Sequence, residues 1–338
     1  MTPGIRIAAL VSAMLAAGPA MTQPMPTITL MTYNVKGLPW PAARGRPIEL
    51  EAIALRLKAL RSEGRQPHLV ALQEAFVPQA KAIGRLAGYR YEAFGPAPAD
   101  AAAQPATTED RVFLANASLL IGERAGKHVD SGLAIFSDYP IVAARRTAYR
   151  VCAGYDCLAN KGALAVQIKV PGVATPLTVI DTHLNSANAS RAPRARSTYA
   201  YRRQIDALRS FIADVAPAGS PMLIAGDFNV GNHTDRRSYF QSQMLDAVAG
   251  LSAAEQRCGP SAQCQAGSPG GVAESIAHGK DWLLYRAGGA PALSPTQLEA
   301  SFGRDSRGMM LSDHVGITAT YALQPSAPEE HGIVVAGR

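Results

Sequence analysis

Apolar positions along the chain recur with two periods, and each period predicts one kind of element. Spacings of three and four residues predict an amphipathic helix over residues 50–60 that ends at Gly64, and a second helix from about Thr198 to Val215. The apolar faces of these helices consist of Leu50, Ile53, Leu57 and Leu60, and of Tyr201, Ile205, Leu208, Ile212 and Val215.

Short apolar or β-branched runs predict strands. Strands outnumber helices, and no change of composition divides the middle of the chain. We therefore expect one domain over about residues 27–322, in which sheets pack face to face with helices outside. Residues 94–110 are predicted to form a loop, and residues 323–338 a flexible tail. The predicted strands are Ile28–Val35, Leu69–Leu72, Val112–Leu114, Leu119–Ile121, Leu133–Phe136, Leu164–Ile168, Leu177–Thr182, Met222–Ala225, Trp282–Tyr285 and Val315–Tyr321.

The N-terminus has the pattern of an export signal. Arg6 precedes an apolar run from Ile7 to Ala17, and small residues follow it up to Ala20. This run is too short to span a bilayer, which takes about 20 residues. We expect a signal peptide over residues 1–20 and a secreted or periplasmic protein without a transmembrane span. A buried N-terminal helix is the alternative.

Four cysteines fall into two local pairs, Cys152 with Cys157 and Cys258 with Cys264. An oxidising compartment favours disulfides, and proximity in the chain favours these two pairings. A zinc site of four cysteines is the alternative, although neither pair has the spacing that structural zinc sites often use.

The composition of the 338 residues, 47% hydrophobic and 17% charged, excludes a disordered, collagen-like or coiled-coil chain. The net charge of +7 permits an anionic partner. The segment Asn188–Arg209 carries six arginines against one acid, Asp206. Arginine suits phosphate, so nucleic acid, anionic lipid and phosphorylated small molecules all fit this segment. A solvated loop followed by a polar helix face fits it equally well.

Polar residues with catalytic potential follow the predicted strands. Asp181 and His183 share one strand face, and Asp313 adjoins His314, so in both cases a carboxylate is placed to orient an imidazole. Asp281, which opens a strand, is a further ligand or orienting group. The oxygen-rich set favours Mg²⁺, Mn²⁺ or Ca²⁺ over zinc. Each motif alone also fits an ordinary turn or strand end. The residues at strand ends are Asn34, Glu74, His183, Asp227, Asn229, Asp313 and His314.

Taken in order, six short segments resemble the endonuclease/exonuclease/phosphatase superfamily. They are Thr32-Tyr33-Asn34-Val35, Leu72-Gln73-Glu74, the segment 131–137, Asp181-Thr182-His183-Leu184, Gly226-Asp227-Phe228-Asn229 and Ser312-Asp313-His314. The resemblance implies a four-layer α/β sandwich with two packed mixed β-sheets flanked by helices. It also implies a Mg²⁺-dependent phosphoric ester hydrolase, in which metal-activated water attacks the phosphate.

The resemblance also implies roles for these residues. Glu74 would hold the metal, with Asn34 nearby in the metal site. His183 and Asn229 would bind the phosphate and stabilise the transition state. Asp227 would orient or assist proton transfer, and His314 would be the general base, with Asp313 close to the site.

A narrower resemblance points to secreted bacterial sphingomyelinases, which release a phospholipid headgroup. The segment Asn160-Lys161-Gly162 is similar to theirs, and Lys161, Arg191 and Arg194 would contact the substrate. The chain departs from them before Ser312, because residues 287–311 contain one aromatic residue, Phe302, where those proteins carry an aromatic-rich hairpin that docks on membranes.

Two alternatives to this activity stay open. An exported deoxyribonuclease-type endonuclease would use the arginine segment on a nucleic acid, although Lys36 stands where abasic-site endonucleases of the superfamily place an acid. A non-catalytic binding protein on the same fold is the second. We expect a monomer that acts on a phosphodiester substrate, with phospholipid favoured and nucleic acid possible, and with peripheral membrane contact possible.

Overall fold

The computed structural model describes residues 26–258, 264–267, 269–289 and 292–324. The predicted signal segment and residues 325–338 of the predicted tail lie outside the described residues. The strands are β1 Thr27–Asn34, β2 Leu69–Gln73, β3 Tyr91–Phe94, β4 Ala134–Ser137, β5 Ile141–Ala148, β6 Gly162–Ile168, β7 Leu177–His183, β8 Met222–Asp227, β9 Leu251–Ala253, β10 Gln265–Gly267, β11 Asp281–Arg286, β12 Ala292–Phe302 and β13 Gly316–Gln324.

Helices connect these strands. The helices are α1 Arg46–Ser62, α2 Pro78–Lys81, α3 Ile83–Leu86, α4 Thr108–Ala115, α5 Arg194–Val215, α6 Thr234–Phe240, α7 Ala254–Arg257 and α8 Pro269–His278, with a 3₁₀ turn at Gly154–Leu158 and a π turn at Gln241–Leu245. Among the described residues, no helix is long and apolar enough to cross a membrane.

Two mixed sheets form the centre of the molecule, which confirms the predicted fold class. One has seven strands in the order β10-β12-β13-β1-β2-β4-β3, and the other has six in the order β5-β6-β7-β8-β11-β9. Leu30 and Ile135 from the first sheet and Leu164 and Leu223 from the second belong to one buried cluster between them. Burying each such side chain contributes about 1.5–3 kcal/mol, so this interface contributes substantially to stability.

The two predicted amphipathic helices form the outer layers. α1 buries Leu50, Ile53 and Leu57 against the first sheet. α5 buries Ile205 and Leu208 against the second. Both helices were expected from their apolar spacing, and they complete the four-layer arrangement.

Two predicted strands are wrong. Val112–Leu114 lies in α4, because the Thr107 hydroxyl accepts from the Asp110 N–H while the Asp110 carboxylate accepts from the Thr107 N–H, and this capping box starts a helix. Residues 119–121 lie in a turn, and Leu119 and Leu120 are exposed. The region 94–110, predicted as a loop, also holds the end of β3 and the start of α4.

Strands β3, β5, β9, β10 and β12 were not predicted. β5 is an edge strand with exposed Arg145 and Arg146, so it lacks a continuous apolar run. β12 contains Pro295 beside a register shift, and proline usually argues against a strand. Both predicted disulfides, Cys152–Cys157 and Cys258–Cys264, are present.

Parallel pairing brings the ends of four strands to one edge. β1 pairs parallel with β2, and β7 pairs parallel with β8. Loops that follow parallel strands emerge at the same edge of a sheet. The next strand of the second sheet, β11, runs antiparallel to β8, so it begins at the edge where β8 ends.

Candidate active site

Three ionisable side chains stand in one row across the second sheet. His183 ends β7 directly opposite Asp227 at the end of β8, and Asp227 stands opposite Asp281 at the start of β11. All three are buried. His314 approaches from the first sheet, two residues before β13, with its Nε2 3.8 Å from Asp227 Oδ2. The fold thus gathers four predicted site residues that are distant in sequence.

Asn34 joins the two sheets at this edge. Its Nδ2 donates to Glu74 Oε1 and to Asp227 Oδ2, both at 3.0 Å, and its Oδ1 accepts from the backbone N–H of Lys36. The Asn34 amide therefore presents its nitrogen to the two carboxylates and uses its oxygen within the chain. In this arrangement Asn34 positions Glu74 and Asp227.

Three residues of the site adopt the left-handed backbone region. The φ angles are 50° at Lys36, 55° at Glu74 and 49° at Asn229. This conformation is unfavourable for residues other than glycine and persists where the surrounding structure imposes it. Lys36 and Asn229 each follow a polar site residue by two positions, so the strained turns hold the ends of β1, β2 and β8.

His314 is paired with Asp281. Its Nδ1 lies 2.7 Å from Asp281 Oδ2 and 3.0 Å from Oδ1. Burial acts to lower the pKa of His314, but the carboxylates of Asp281 and Asp227 outweigh it and raise the pKa to about 10. The orienting carboxylate predicted for this histidine, its neighbour Asp313, is wrong. Asp313 instead contacts Lys36 Nζ at 2.9 Å in a half-exposed ion pair.

His183 is surrounded by Lys161 and Asp227. Lys161 Nζ lies 3.0 Å from His183 Nε2, and Asp227 Oδ2 lies 3.5 Å from the same nitrogen. Burial, together with the nearby cations Lys161, His314 and Lys280, holds the pKa of His183 well below its usual range. His183 Nδ1 has no hydrogen-bond partner within the described part of the chain, and such a buried atom is commonly completed by a ligand or a water.

Asp181 does not orient His183, as its place in the strand had suggested. Its Oδ1 accepts from Gln73 Nε2 at 2.7 Å. Burial raises the pKa of Asp181 well above its usual range. The contact is between β2 and β7 and therefore joins the two sheets.

Lys161 is buried behind His183 rather than exposed to the site opening. Besides His183, its ammonium donates to the Leu184 carbonyl at 3.0 Å and contacts Asp156 Oδ2 at 3.1 Å. Three acceptors use all three of its N–H groups. Its place in the structure is therefore that of a positioning residue for His183.

Asp227 and Asn229 form one turn. Asp227 Oδ1 accepts from the Asn229 backbone N–H at 3.0 Å, and Asn229 Nδ2 donates to the Leu184 carbonyl at 2.9 Å. Nδ2 carries a second N–H that is free of described partners. Burial and the nearby Asp281 raise the pKa of Asp227 to about 6, while His314, Lys161 and the Asn34 hydrogen bond oppose this rise.

Three of the six arginines of the segment 188–209 pair with acids from elsewhere in the chain. Arg196 pairs with Glu123 at 2.9 Å, Arg203 with Asp110 at 2.8 Å, and Arg194 with Asp235 at 3.0 Å. Arg191 is exposed and has no ion pair among the described side chains. Arg191 and Arg194 line a groove of about 300 Å³ together with His233 and the buried Arg236. None of His183, Asp227 and Asp281 lines that groove.

Two supporting residues were not recognised from the sequence. Arg236 is 1% exposed and donates to the carbonyls of Asn185, Asn229 and Ser197. Asp156 anchors Lys161. Arg236 belongs to no motif, and Asp156 lies beside Cys157 in the segment that ends in Asn160-Lys161-Gly162, where nothing local distinguishes it from a surface charge. Gln73 precedes Glu74 in a buried strand, and strand alternation was the one signal that could have placed it inside.

The donor set suits a hard divalent cation. Glu74 and Asp227 present carboxylate oxygens to the same Asn34 amide, so two acids face each other with only a neutral group between them. Asp227, Asp281 and His314 also offer ligand atoms that lie within 4.8 Å of one another. Carboxylate oxygens are the ligands that Mg²⁺, Mn²⁺ and Ca²⁺ prefer, and the residues present therefore fit such an ion.

Comparison with known proteins agrees with this geometry. The profile of the Endonuclease/Exonuclease/phosphatase family matches residues 31–314, which spans the region from β1 to His314. The chain belongs to the endonuclease/exonuclease/phosphatase family. Members of this family are phosphoric ester hydrolases. A search of curated protein sequences found no match.

Solved structures of this family share the fold at low sequence identity. Sphingomyelinase C from Streptomyces griseocarneus is 21% identical, with a TM-score of 0.60 over 87% of this chain and 99% of that one. A beta toxin variant from Staphylococcus aureus with bound magnesium ions is 17% identical, with a TM-score of 0.59 over 89% and 100%. TDP2 from D. rerio, complexed with a single-strand DNA product, is 14% identical, with a TM-score of 0.55 over 87% and 98%.

Proposed function

We propose that this family member is a divalent-metal-dependent phosphodiesterase of the sphingomyelinase C type, which releases a phospholipid headgroup. The observation that carries the reaction is the buried row of His183, Asp227 and Asp281 with His314 against it. Glu74 stands beside the row through the shared Asn34 amide. The site thus combines a proton-accepting imidazole, phosphate donors and a cation-binding carboxylate.

His314 is the proposed general base. Asp281 holds Nδ1, so Nε2 faces Asp227 and the site. A carboxylate on one nitrogen fixes the tautomer and stabilises the imidazolium that forms when the other nitrogen takes a proton from water. This assigns Asp281 to orienting His314. In this proposal Asp313 supports the mouth of the site through Lys36.

Phosphate binding is assigned to His183 and Asn229. The free Nδ2–H of Asn229 and the imidazole of His183 are fixed donors, and donors held in place stabilise the negative charge that gathers on phosphoryl oxygens in the transition state. Lys161 keeps His183 in position. Asp227 holds the turn that carries Asn229.

Glu74, with Asp227 beside it, would hold the metal ion, and Mg²⁺ is the proposed ion. When bound, such a cation polarises a phosphoryl oxygen and lowers the pKa of a neighbouring imidazolium. The second effect matters here, because in the protein alone the His314 pKa lies at about 10. The residues themselves orient the substrate and move the proton.

Phospholipid is favoured as substrate over nucleic acid on two grounds. The segment Asn160-Lys161-Gly162 is similar to that of sphingomyelinases, and its Lys161 supports His183 from behind the site. Three of the six arginines that would follow a nucleic-acid backbone are instead paired with acids. The choice of phospholipid rests mainly on the first ground. Because the similar TDP2 structure contains a DNA product, nuclease activity is the alternative that the two-substrate comparison below tests.

We further propose that the protein is exported after removal of residues 1–20 and acts as a monomer through one domain over residues 27–322. The two disulfides support an oxidising compartment, secreted or periplasmic. Mass spectrometry of the exported protein would fix the cleavage position and detect any free thiols.

The test of the activity is a direct comparison of two substrates. Purified mature protein with Mg²⁺ would be given sphingomyelin vesicles and plasmid DNA side by side, with His314→Ala as the control. We expect phosphocholine release that EDTA and the variant abolish. Nicking of DNA alone would replace the lipid activity with the nuclease activity, and no hydrolysis of either substrate would favour a binding protein.

A further inference from the structure

A groove of about 450 Å³ opens beside the site, between two loops. Lys36, Ala42 and Arg44 line one side, from the loop that follows β1, and Met310, Ser312 and Asp313 line the other. The groove is continuous with the catalytic residues, because Ser312 Oγ donates to the Asn34 carbonyl at 2.7 Å and Asp313 adjoins His314. Whatever covers this groove therefore also faces the catalytic opening.

Three large apolar side chains that neighbour groove-lining residues in the chain are exposed to solvent. The exposed fractions are 76% for Trp40, 77% for Ile48 and 65% for Met309. Trp40 lies two residues from the groove-lining Ala42, Met309 adjoins Met310, and Ile48 follows the groove-lining Arg46 by two residues. A soluble protein rarely gathers such residues on one surface without a partner.

Ordered turns present two of these side chains. The backbone N–H groups of Ala42 and Ala43 both donate to the Pro39 carbonyl, so a turn closes around Trp40. Asp305 accepts from the backbone N–H groups of Arg307 and Met309 at 2.9 and 2.8 Å. The exposure is therefore a property of defined turns on both sides of the groove.

The charges around the groove suit a phospholipid surface. Asp313 is the one acid among the described groove-lining residues, and Lys36 neutralises it. Arg44 is exposed and has no described ion pair. Arg307, on the same loop as Met309, is 84% exposed at its side chain and lies 3.4 Å from Asp305 in an exposed ion pair, which contributes little in water. Apolar side chains flanked by arginine are the composition of surfaces that insert shallowly between lipid headgroups.

We propose that Trp40, Ile48 and Met309, with Arg44 and Arg307, form a docking surface for a phospholipid bilayer. It rests on the proposed lipid activity, since it places the catalytic opening against the membrane. Met309 and Arg307 belong to the region 287–311, compared above with the sphingomyelinase hairpin, whereas Trp40, Arg44 and Ile48 come from residues 40–48. The one aromatic residue of the region 287–311, Phe302, is 5% exposed and stacks on Tyr33 at a ring distance of 4.9 Å.

The chain supplies its own probe for this proposal. It contains two tryptophans, Trp40 and Trp282, so Trp282→Phe leaves Trp40 as the single tryptophan. The protein would be mixed with phosphatidylcholine vesicles, with and without phosphatidylserine, in EDTA so that binding is measured without hydrolysis. We expect the Trp40 emission to shift to shorter wavelength and to be quenched by brominated acyl chains. If Trp282→Phe does not fold, the difference between wild type and Trp40→Phe gives the same signal.

A matched pair of variants measures the contribution of the surface. The double variant Trp40→Ser/Met309→Ser should lower vesicle partitioning about tenfold or more, and should lower hydrolysis of vesicles relative to hydrolysis of a dispersed short-chain substrate. Leu120→Ser, which changes a side chain that is 90% exposed outside this groove, should change neither.

Several outcomes would overturn the docking surface. An unchanged Trp40 emission is one, and an equal loss of binding in Leu120→Ser is another. A shift that depends on protein concentration without vesicles, together with a dimer in sedimentation, would assign the surface to a second copy of the chain. Vesicle binding in EDTA by a protein that cleaves only DNA would instead support docking and reject the proposed lipid activity.

Discussion

Gln73 donates a hydrogen bond of 2.7 Å from Nε2 to Oδ1 of Asp181, and this bond links the two sheets directly beneath the site. Both residues are fully buried. Gln73 immediately precedes Glu74, and Asp181 stands two residues before His183. The bond therefore fixes the separation between the carboxylate proposed for metal binding and the imidazole proposed for phosphate binding. Burial raises the pKa of Asp181 well above its usual range, so the hydrogen bond, rather than a charge, is the contact that we expect to matter.

Substitutions of Asp181 should separate its hydrogen bond from its charge. Asp181→Asn keeps an acceptor oxygen for Gln73, so we expect turnover near that of wild type. Asp181→Ala leaves Gln73 Nε2 buried without a strong partner, which costs about 1–3 kcal/mol of stability. It should also lower kcat at least about tenfold, because a displacement of catalytic groups by about 1 Å can slow a reaction about 100-fold. Urea unfolding and steady-state kinetics measure the two effects. Equal damage in both variants would show that a charged Asp181 is required.

Asp281→Asn should weaken catalysis through the His314 imidazole. The amide removes the closest charge that raises the His314 pKa, whereas burial, which lowers it, stays. We therefore expect the His314 pKa to fall well below that of wild type, and kcat to fall by about 10²–10⁴. An NMR titration of the imidazole and a pH–rate profile measure these changes. An unchanged His314 pKa would contradict the pairing.

Glu74→Gln should weaken the response to Mg²⁺ more than it weakens folding. The amide keeps the shape of the side chain and an acceptor for Asn34, but it removes the negative charge that attracts a cation. We expect the Mg²⁺ concentration for half-maximal activity to rise at least about tenfold, with little change in Tm. Asp313→Asn is the matched control, since this carboxylate is held by Lys36. A collapse of Tm in Glu74→Gln would identify Glu74 as structural.

Polar residues at strand ends were predictable from sequence, because an acid or amide directly after an apolar run is recognisable in the chain itself. Their partners were not. Asp281 lies 33 positions from His314, and Asn34 lies 193 positions from Asp227. Proximity in sequence favoured Asp313 as the partner of His314. The partner is instead Asp281, because strand pairing places Asp281 opposite Asp227, next to His314.

The contrast between local sequence signals and contacts between distant residues also explains the two wrongly predicted strands. α1 and α5 have long apolar stripes, so their period was clear. Val112 and its neighbours form a short run in which strand and helix patterns are equivalent, and the side-chain cap at Thr107 decides for helix. The arginine segment was also ambiguous, because the acids that neutralise it, Glu123 and Asp110, lie more than 70 positions away in the chain.

Arg203 and its neighbour Arg202 offer a test of that neutralisation. Arg203 donates from Nε and Nη2 to the carboxylate of Asp110, which is 2% exposed. Arg203→Gln leaves a buried charge without its partner and should cost about 3–5 kcal/mol of stability. Arg202 is exposed, and Arg202→Gln should stay within about 0.5 kcal/mol of wild type. Thermal unfolding compares the two variants. If the Arg203→Gln and Arg202→Gln variants were equally stable and lost substrate affinity to the same extent, the two arginines would instead be substrate-binding residues.

Glu255 is a buried acid outside the proposed chemistry. Its Oε1 accepts from the Leu283 backbone N–H at 2.7 Å, and its Oε2 has no partner among the described residues. Burial raises the pKa of this carboxyl to about 8. The folded protein therefore keeps the proton that the unfolded chain releases near its ordinary pKa of 4.5.

The sign of the resulting pH dependence follows from proton counting. Between about pH 4.5 and pH 8 the folded state binds more protons at Glu255 than the unfolded state does, so stability falls as pH rises, by up to about 1.4 kcal/mol per unit. Glu255→Gln resembles the protonated acid and removes this dependence. We expect its Tm to match wild type near about pH 5 and to exceed it near about pH 8. A Tm difference that is the same at both values would mean that Glu255 does not hold its proton in the folded protein.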